Sequence, residues 1–122
     1  MTAEEAWHFA QHWIAAWNSH DLEAILAHYD DAIELTSPTA ARLLALPDGK
    51  VTGFANLRAY FRRGLEAFPQ LQFELEDVLA GLHSVVLYYR NQGGSRTAEF
   101  MEFSELGKVI RVVANYSVSR PS

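Results

Sequence analysis

The stretch from Trp13 to Ala32, WIAAWNSHDLEAILAHYDDA, leaves little freedom in how this chain begins to fold. It reads as the end of one amphipathic helix, a tight polar turn, a second short helix and the entry to a strand. The first helix is expected from about Ala3 to Trp17. Thr2 and Glu5 have the spacing of a capping box, and Glu4 and Glu5 suit the positive end of the helix dipole. At about 100° per residue, Ala6, Phe9, Ala10, Trp13 and Trp17 share one face. Asn18 to Asp21 breaks the helix, and Asp21 is a good N-cap for the next. Leu22, Ile25, Leu26 and Tyr29 then repeat at helical spacing. Asp30 and Asp31 end that helix, and Ile33 to Thr36 reads as a short strand.

Further on, the pattern changes from helix to strand. Pro38 and Pro47-Asp48-Gly49 are turn signals, so Ser37 to Thr52 reads either as a small hairpin around Asp48-Gly49 or as a mobile flap. A third helix is expected from Phe54 to Phe68, with Leu57, Tyr60, Phe61, Leu65 and Phe68 as its apolar stripe. After Pro69, Leu71, Phe73 and Leu75 alternate with Gln72, Glu74 and Glu76 at the period of a half-buried strand. Val85 to Gln92, Ser95 to Glu105 and Val109 to Val118 follow as strands, separated by Gly93-Gly94 and Gly107-Lys108. No internal repeat or linker interrupts this order. The expectation is an α+β fold in which three N-terminal helices pack on the concave face of a curved antiparallel sheet, within a single domain spanning 1–122.

Composition narrows the function classes. There are no cysteines among the 122 residues, which removes disulfides, thiolate metal sites and thiol catalysis. A formal net charge of −5 argues against a surface for nucleic acid or anionic membrane. No basic, apolar leader and no membrane-length apolar run is visible, so a soluble cytoplasmic protein is expected.

The glycine turns set an expected register. With Gly93-Gly94 as a two-residue turn, Tyr88 faces Glu99, Val86 faces Met101 and Arg90 faces Thr97. With Gly107-Lys108 as the next, Glu99 faces Tyr116, Met101 faces Ala114 and Phe103 faces Val112. One surface then holds Tyr88, Glu99, Met101, Phe103, Val112, Ala114 and Tyr116, unless a bulge swaps the faces. Apolar residues around one carboxylate and two phenols have the texture of a small-molecule pocket. The opposite surface, with Val85, Leu87, Tyr89, Phe100 and Val113, is apolar enough to bury itself against a second copy, so a homodimer through the outer sheet face is expected.

These features together resemble the nuclear transport factor 2-like superfamily, in particular its SnoaL-like and ketosteroid-isomerase-like branch. The resemblance rests on Trp17-Asn18-Ser19-His20-Asp21-Leu22, on Tyr29-Asp30-Asp31-Ala32, on Gly53 before the third helix and on the turn FSELGKV from Phe103 to Val109. It implies a cone-shaped, cystatin-like sheet with a pocket between sheet and helices. In the isomerase branch, a strand aspartate before a proline abstracts a proton. A helix-one tyrosine and a protonated sheet carboxylic acid stabilise the enolate. Here those positions fall on Thr36 and Ser37 before Pro38, on Trp13, and on Glu99. The resembled base is therefore absent, and only the sheet acid is retained in kind.

The expected site has Glu99 as its acid/base group, because an apolar pocket disfavours a charged carboxylate and raises its pKa. Trp13, Trp17, Thr36, Ser37, Tyr60, Tyr88, Met101 and Tyr116 are the candidate ligand-binding residues. His8 and His12 have the spacing of a metal pair but lie off the buried face without a third ligand, so no metal and no cofactor are expected. The ligand expected is a hydrophobic small molecule, with no nucleic acid and no membrane. Two function classes follow. One is a cofactor-free isomerase, cyclase or hydrolase-type enzyme working through Glu99. The other is a ligand-binding or dimerisation module without catalysis.

Overall fold

A computed structural model describes residues 1–121. Thr2 caps the first helix, α1 (Ala3–Ser19), through the full capping box with Glu5. His20, in the left-handed region at φ 60°, closes it. The polar turn after α1 also ties the helix to the far sheet. The Asn18 side-chain amide donates to the Phe73 carbonyl at 2.9 Å, and its carbonyl oxygen accepts from the Phe73 N–H at 2.7 Å. His20 Nε2 lies 2.8 Å from the Leu71 carbonyl. Asp21 caps α2 (Leu22–Leu26) by accepting from the N–H groups of Glu23 and Ala24. The WNSHD run therefore works as a joint, satisfying helix-end and strand-entry backbone groups that burial would otherwise leave unpaired.

Strand β1 (Tyr29–Thr36) starts earlier than the helical spacing of Leu22 to Tyr29 suggests, and Tyr29 belongs to it rather than to α2. Ser37 to Thr52 forms neither a hairpin of its own nor a flap. Ser37 caps a further helix, α3 (Pro38–Leu44), accepting from the Thr39 N–H at 3.1 Å, with Pro38 preset for the first helical position. The chain then returns through Gly49 to β2 (Lys50–Thr52), which pairs antiparallel with β1. Gly49 has φ 62°, and a Cβ there would lie 2.6 Å from the Ser37 carbonyl oxygen. Only glycine lets the loop press against the start of α3. Helix α4 (Phe54–Ala67) begins at Gly53 and carries Leu57, Tyr60 and Phe61 inward. Among the described residues there are therefore four helices rather than three.

Strands β3 (Glu74–Ala80), β4 (Ser84–Arg90), β5 (Arg96–Phe103) and β6 (Val109–Tyr116) form the expected meander. The sheet has six strands in the order β2-β1-β6-β5-β4-β3. It is mixed rather than purely antiparallel, because β1 runs parallel to β6. A single apolar cluster joins the helices to one side of the sheet, with Trp13, Ile25, Ile33, Leu57, Leu87 and Val112 at its centre. No helix among the described residues is long and apolar enough to cross a membrane.

The register differs from expectation at one decisive place. Asn91 accepts through its side chain from the N–H groups of Gly93 and Ser95, and its own N–H donates to the Ser95 carbonyl. Gly94 takes φ 85°. The β4–β5 loop is thus one residue longer than a Gly-Gly turn, and Tyr88 pairs with Ala98, while Leu87 pairs with Glu99. A one-residue slip turns every β4 side chain to the other face. Val85, Leu87 and Tyr89 point inward, and Val86 and Tyr88 point outward. On β5–β6 the offset from expectation is two, so Glu99 pairs with Ala114 rather than Tyr116 and the faces are preserved.

Candidate functional site

Between the helices and the inner face of the sheet lies a cavity of about 530 Å³. Its walls are largely aromatic. Trp13 stacks on Phe73 at 5.9 Å, Phe73 lies 4.5 Å from Tyr89, and Trp17 meets Phe61 edge-on at 4.8 Å. Leu35, Phe68, Leu71 and Ala114 complete the apolar lining. Helix α3, the β4–β5 loop and the residues after β6 border the cavity, through Pro38, Thr39 and Arg42, through Gln92 and Ser95, and through Ser117 and Val118.

Glu99 is the one carboxylate among the lining residues. Its position on β5 places it on the inner face, and it is 7% exposed. Burial raises its pKa from 4.5 to about 7, against the opposing effect of the Tyr89 hydroxyl, which donates to Oε1 at 2.6 Å. The desolvation of the charged form outweighs one hydrogen bond to it. Among the described residues, no hydrogen-bond donor reaches the other oxygen. Burial likewise pushes the Tyr60, Tyr89 and Tyr116 phenols up, with the nearby Glu99 carboxylate reinforcing each shift. These phenols stay protonated and serve as neutral donors across the physiological range.

A second polar group sits by α3. Thr39 Oγ1 donates to the Tyr116 hydroxyl at 3.0 Å, and Ser37 Oγ lies 3.2 Å from the same oxygen. Ser37 lies beside the Tyr60 phenol as well and lowers the Tyr60 pKa against the dominant effect of burial. Deeper in the wall, Trp13 Nε1 donates to the Tyr29 hydroxyl at 2.9 Å. The Trp17 indole is turned toward that phenol too, but among the described residues its buried Nε1 has no partner within hydrogen-bonding geometry.

The cavity brings together Glu99, Trp13, Trp17, Ser37, Tyr60 and Tyr116 of the residues singled out from sequence. Three others lie elsewhere. Tyr88 is carried to the outer face by the register slip. Thr36 pairs with Val113 on that same outer face. Met101 is inward but wholly enclosed by the core and does not reach the cavity. Tyr89 and Arg42 are lining residues that sequence reasoning missed, and Thr97, expected on the Glu99 face, lines the cavity without having been singled out. Asn91 ahead of Gly93-Gly94 was the available signal for Tyr89, since an Asx side chain favours a longer loop, whereas Thr97 shares the face of Glu99 in either register. Nothing comparable marked Arg42, because its helix was hidden among turn signals. His8 and His12 stack at 4.2 Å on the exposed side of α1. Among the described residues, no group of three or more His, Asp or Glu is placed to hold a metal ion.

The model of the SnoaL-like domain matches residues 10–116. The chain belongs to this family. A SnoaL-like protein of unknown function from Burkholderia thailandensis E264 is 38% identical over 96% of this chain and 98% of that one, with a TM-score of 0.91. A candidate isomerase of the SnoaL-like family from Agrobacterium tumefaciens strain C58 is 16% identical over 94% of this chain and 99% of that one, at a TM-score of 0.74. SalBIII is an epoxide hydrolase/cyclase-like enzyme with a role in pyran ring formation in the polyether salinomycin. It is 15% identical over 93% of this chain and 92% of that one, at a TM-score of 0.72. The last two likenesses establish the fold. No curated protein is similar enough to count as a match.

Proposed function

We propose that this SnoaL-like protein binds an apolar small molecule in the cavity and carries out cofactor-independent proton transfer on it through Glu99. The observation that carries the reading is Glu99 itself, a buried carboxyl on the wall of a largely aromatic and aliphatic chamber, where burial raises its pKa to about 7. A group balanced there can give a proton to a carbonyl or ether oxygen in one step and take one from carbon or water in another. The Tyr89 hydroxyl fixes the carboxyl through Oε1 and leaves the other oxygen for the substrate. Tyr60 and Tyr116 are placed as neutral donors at the α3 side. Isomerisation, cyclisation and water addition all fit this equipment, and the family's candidate isomerase and cyclase-like neighbours point the same way. The base of the ketosteroid isomerases has no equivalent. Thr36 is turned outward, and Ser37 is engaged as a helix cap.

The neutral fluorophore 1-aminoanthracene tests the pocket without knowledge of the substrate. One molecule is expected to bind per chain, and by displacing water it should push the Glu99 titration further above its resting value. Carboxyl-carbon NMR reads that shift. The absence of saturable binding, or a Glu99 titration at the ordinary glutamate value, overturns the proposal.

A second reading concerns assembly. Val113, Phe100, Val86 and Leu79 lie in register across the outer face of the sheet. Leu79 is 56% exposed, and the Arg111 guanidinium lies over the Phe100 ring at 5.0 Å. We propose that two copies pack through this face. Sedimentation should give a dimer that Phe100→Asp converts to monomer, since a buried unpaired charge is strongly disfavoured. A monomeric parent protein would sink the idea.

A further inference from the structure

The cavity is electrically polarised, and its two charged residues sit on different elements. Glu99 projects from the middle of β5. Arg42, in the last turn of α3, is the only cationic side chain among the lining residues. Four other basic residues, Lys50, Arg58, Arg90 and Arg111, are matched with a carboxylate on a neighbouring element. Arg42 has no carboxylate within ion-pairing distance among the described residues. Its neighbours are neutral hydroxyls, those of Tyr60 and Tyr116, whose ionised forms its charge favours. It is solvent-exposed, which places it at the mouth rather than in the chamber.

From this arrangement we propose that the physiological ligand is a monoanionic amphipath. Its carboxylate, or an equivalent delocalised oxyanion, is held at the mouth by Arg42 with the hydroxyl of Tyr116, and its apolar body extends inward toward Glu99. The proposal rests on the pocket reading above and adds the substrate's charge and direction. Three physical arguments support it. A guanidinium presents a planar fork of donors that matches a carboxylate, and such charge-assisted bonds are about twice as strong as neutral ones. One unpaired cation balances one negative charge, so a monoanion fits better than a dianion. The reverse orientation is disfavoured, because it would set the ligand's anion against a carboxyl group that is itself partly ionised near neutral pH. The reacting atoms would then lie at the uncharged end or middle of the ligand, against the free oxygen of Glu99, with the anionic head acting as a handle.

Competition against bound 1-aminoanthracene tests this with two probes of equal size, 2-naphthoate and 2-naphthalenemethanol. At near-neutral pH and moderate salt, naphthoate is expected to bind about ten-fold more tightly than the alcohol. Arg42→Gln should remove that preference and leave the alcohol's affinity within about two-fold of the parent. Arg63→Gln, at an exposed α4 position outside the cavity lining, should preserve the preference. Equal binding of the two probes by the parent protein overturns the proposal while leaving the pocket reading intact. So does an Arg42→Gln variant that loses both probes equally. If neither probe nor the fluorophore binds, the pocket reading fails and this inference falls with it. Thermal melting of Arg42→Gln separates a local effect from unfolding, and an unchanged transition is expected because the side chain is exposed.

Discussion

Replacing Glu99 by Gln is expected to stabilise the protein above neutral pH and to change little at mildly acidic pH. The sign follows from linkage. The folded-state pKa, about 7, lies above the unfolded value of 4.5. Between those values the folded state holds a proton that the unfolded state has released. Stability therefore falls as pH rises through that window and levels off above it. A shift of this size corresponds to about 3 kcal/mol lost by about pH 8.5 relative to about pH 4. Gln has nearly the same shape, carries no charge and still offers an oxygen to the Tyr89 hydroxyl. It escapes the penalty at high pH, where the melting temperature should rise by about 10 °C. Near pH 4.5 both proteins carry a neutral group at this position and should melt together. Thermal unfolding of both proteins across this range checks the prediction. A difference that does not vary with pH would contradict the buried, shifted Glu99. The functional corollary runs the other way. If Glu99 moves protons, the more stable variant is the less active one, as is common where a site holds an ionisable group in an unfavourable environment.

The parts of the structure legible in the sequence are those whose determinants are local. The capping box of Thr2 and Glu5, the Asp21 cap and the helical spacing of Leu57, Tyr60 and Phe61 each depend on residues within one or two turns, and each appears where the pattern puts it. Glu99 reached the inner face for a related reason. It sits on the same strand as Met101 and Thr97, and an even register offset leaves the faces unchanged. What stayed hidden depends on single-residue choices or distant partners. Asn91 can sit in a strand or bond its own loop, and its preference for the loop exchanges Tyr88 for Tyr89 at the cavity wall. Helix α3 is short, and its stability comes from the Ser37 cap and from Gly49 pressed beneath it, not from a long apolar stripe. Because α3 was unreadable, so was Arg42, and with it the charge at the mouth. The parallel pairing of β1 with β6 joins the two ends of the chain, which no local pattern specifies.

Trp13→Ala is expected to be the most destabilising single change in the cavity wall. The indole is 1% exposed and touches Trp17, Phe73 and Tyr89 while its N–H holds the Tyr29 hydroxyl. Truncation removes the packing, at about 3 to 5 kcal/mol for a buried Trp. It also orphans a phenol that burial holds neutral, adding about 1 kcal/mol if water reaches it from the adjoining cavity. The sum is a large share of the about 5 to 15 kcal/mol typical of a domain. Urea unfolding should therefore show a variant close to the edge of folding. A loss under about 1 kcal/mol would mean that the wall collapses freely onto the gap. Trp13→Phe keeps most of the apolar volume and removes the donor. Combined with Tyr29→Phe in a double-mutant cycle, it should give a coupling of about 1 kcal/mol, since the second change removes the group that the first leaves unpaired. Trp13 belongs to the cavity as much as to the core, so the alanine variant cannot separate binding from folding. The phenylalanine variant can. It should leave the chain folded and the Glu99 titration in place, while changing the shape presented to the ligand at the deep end of the chamber.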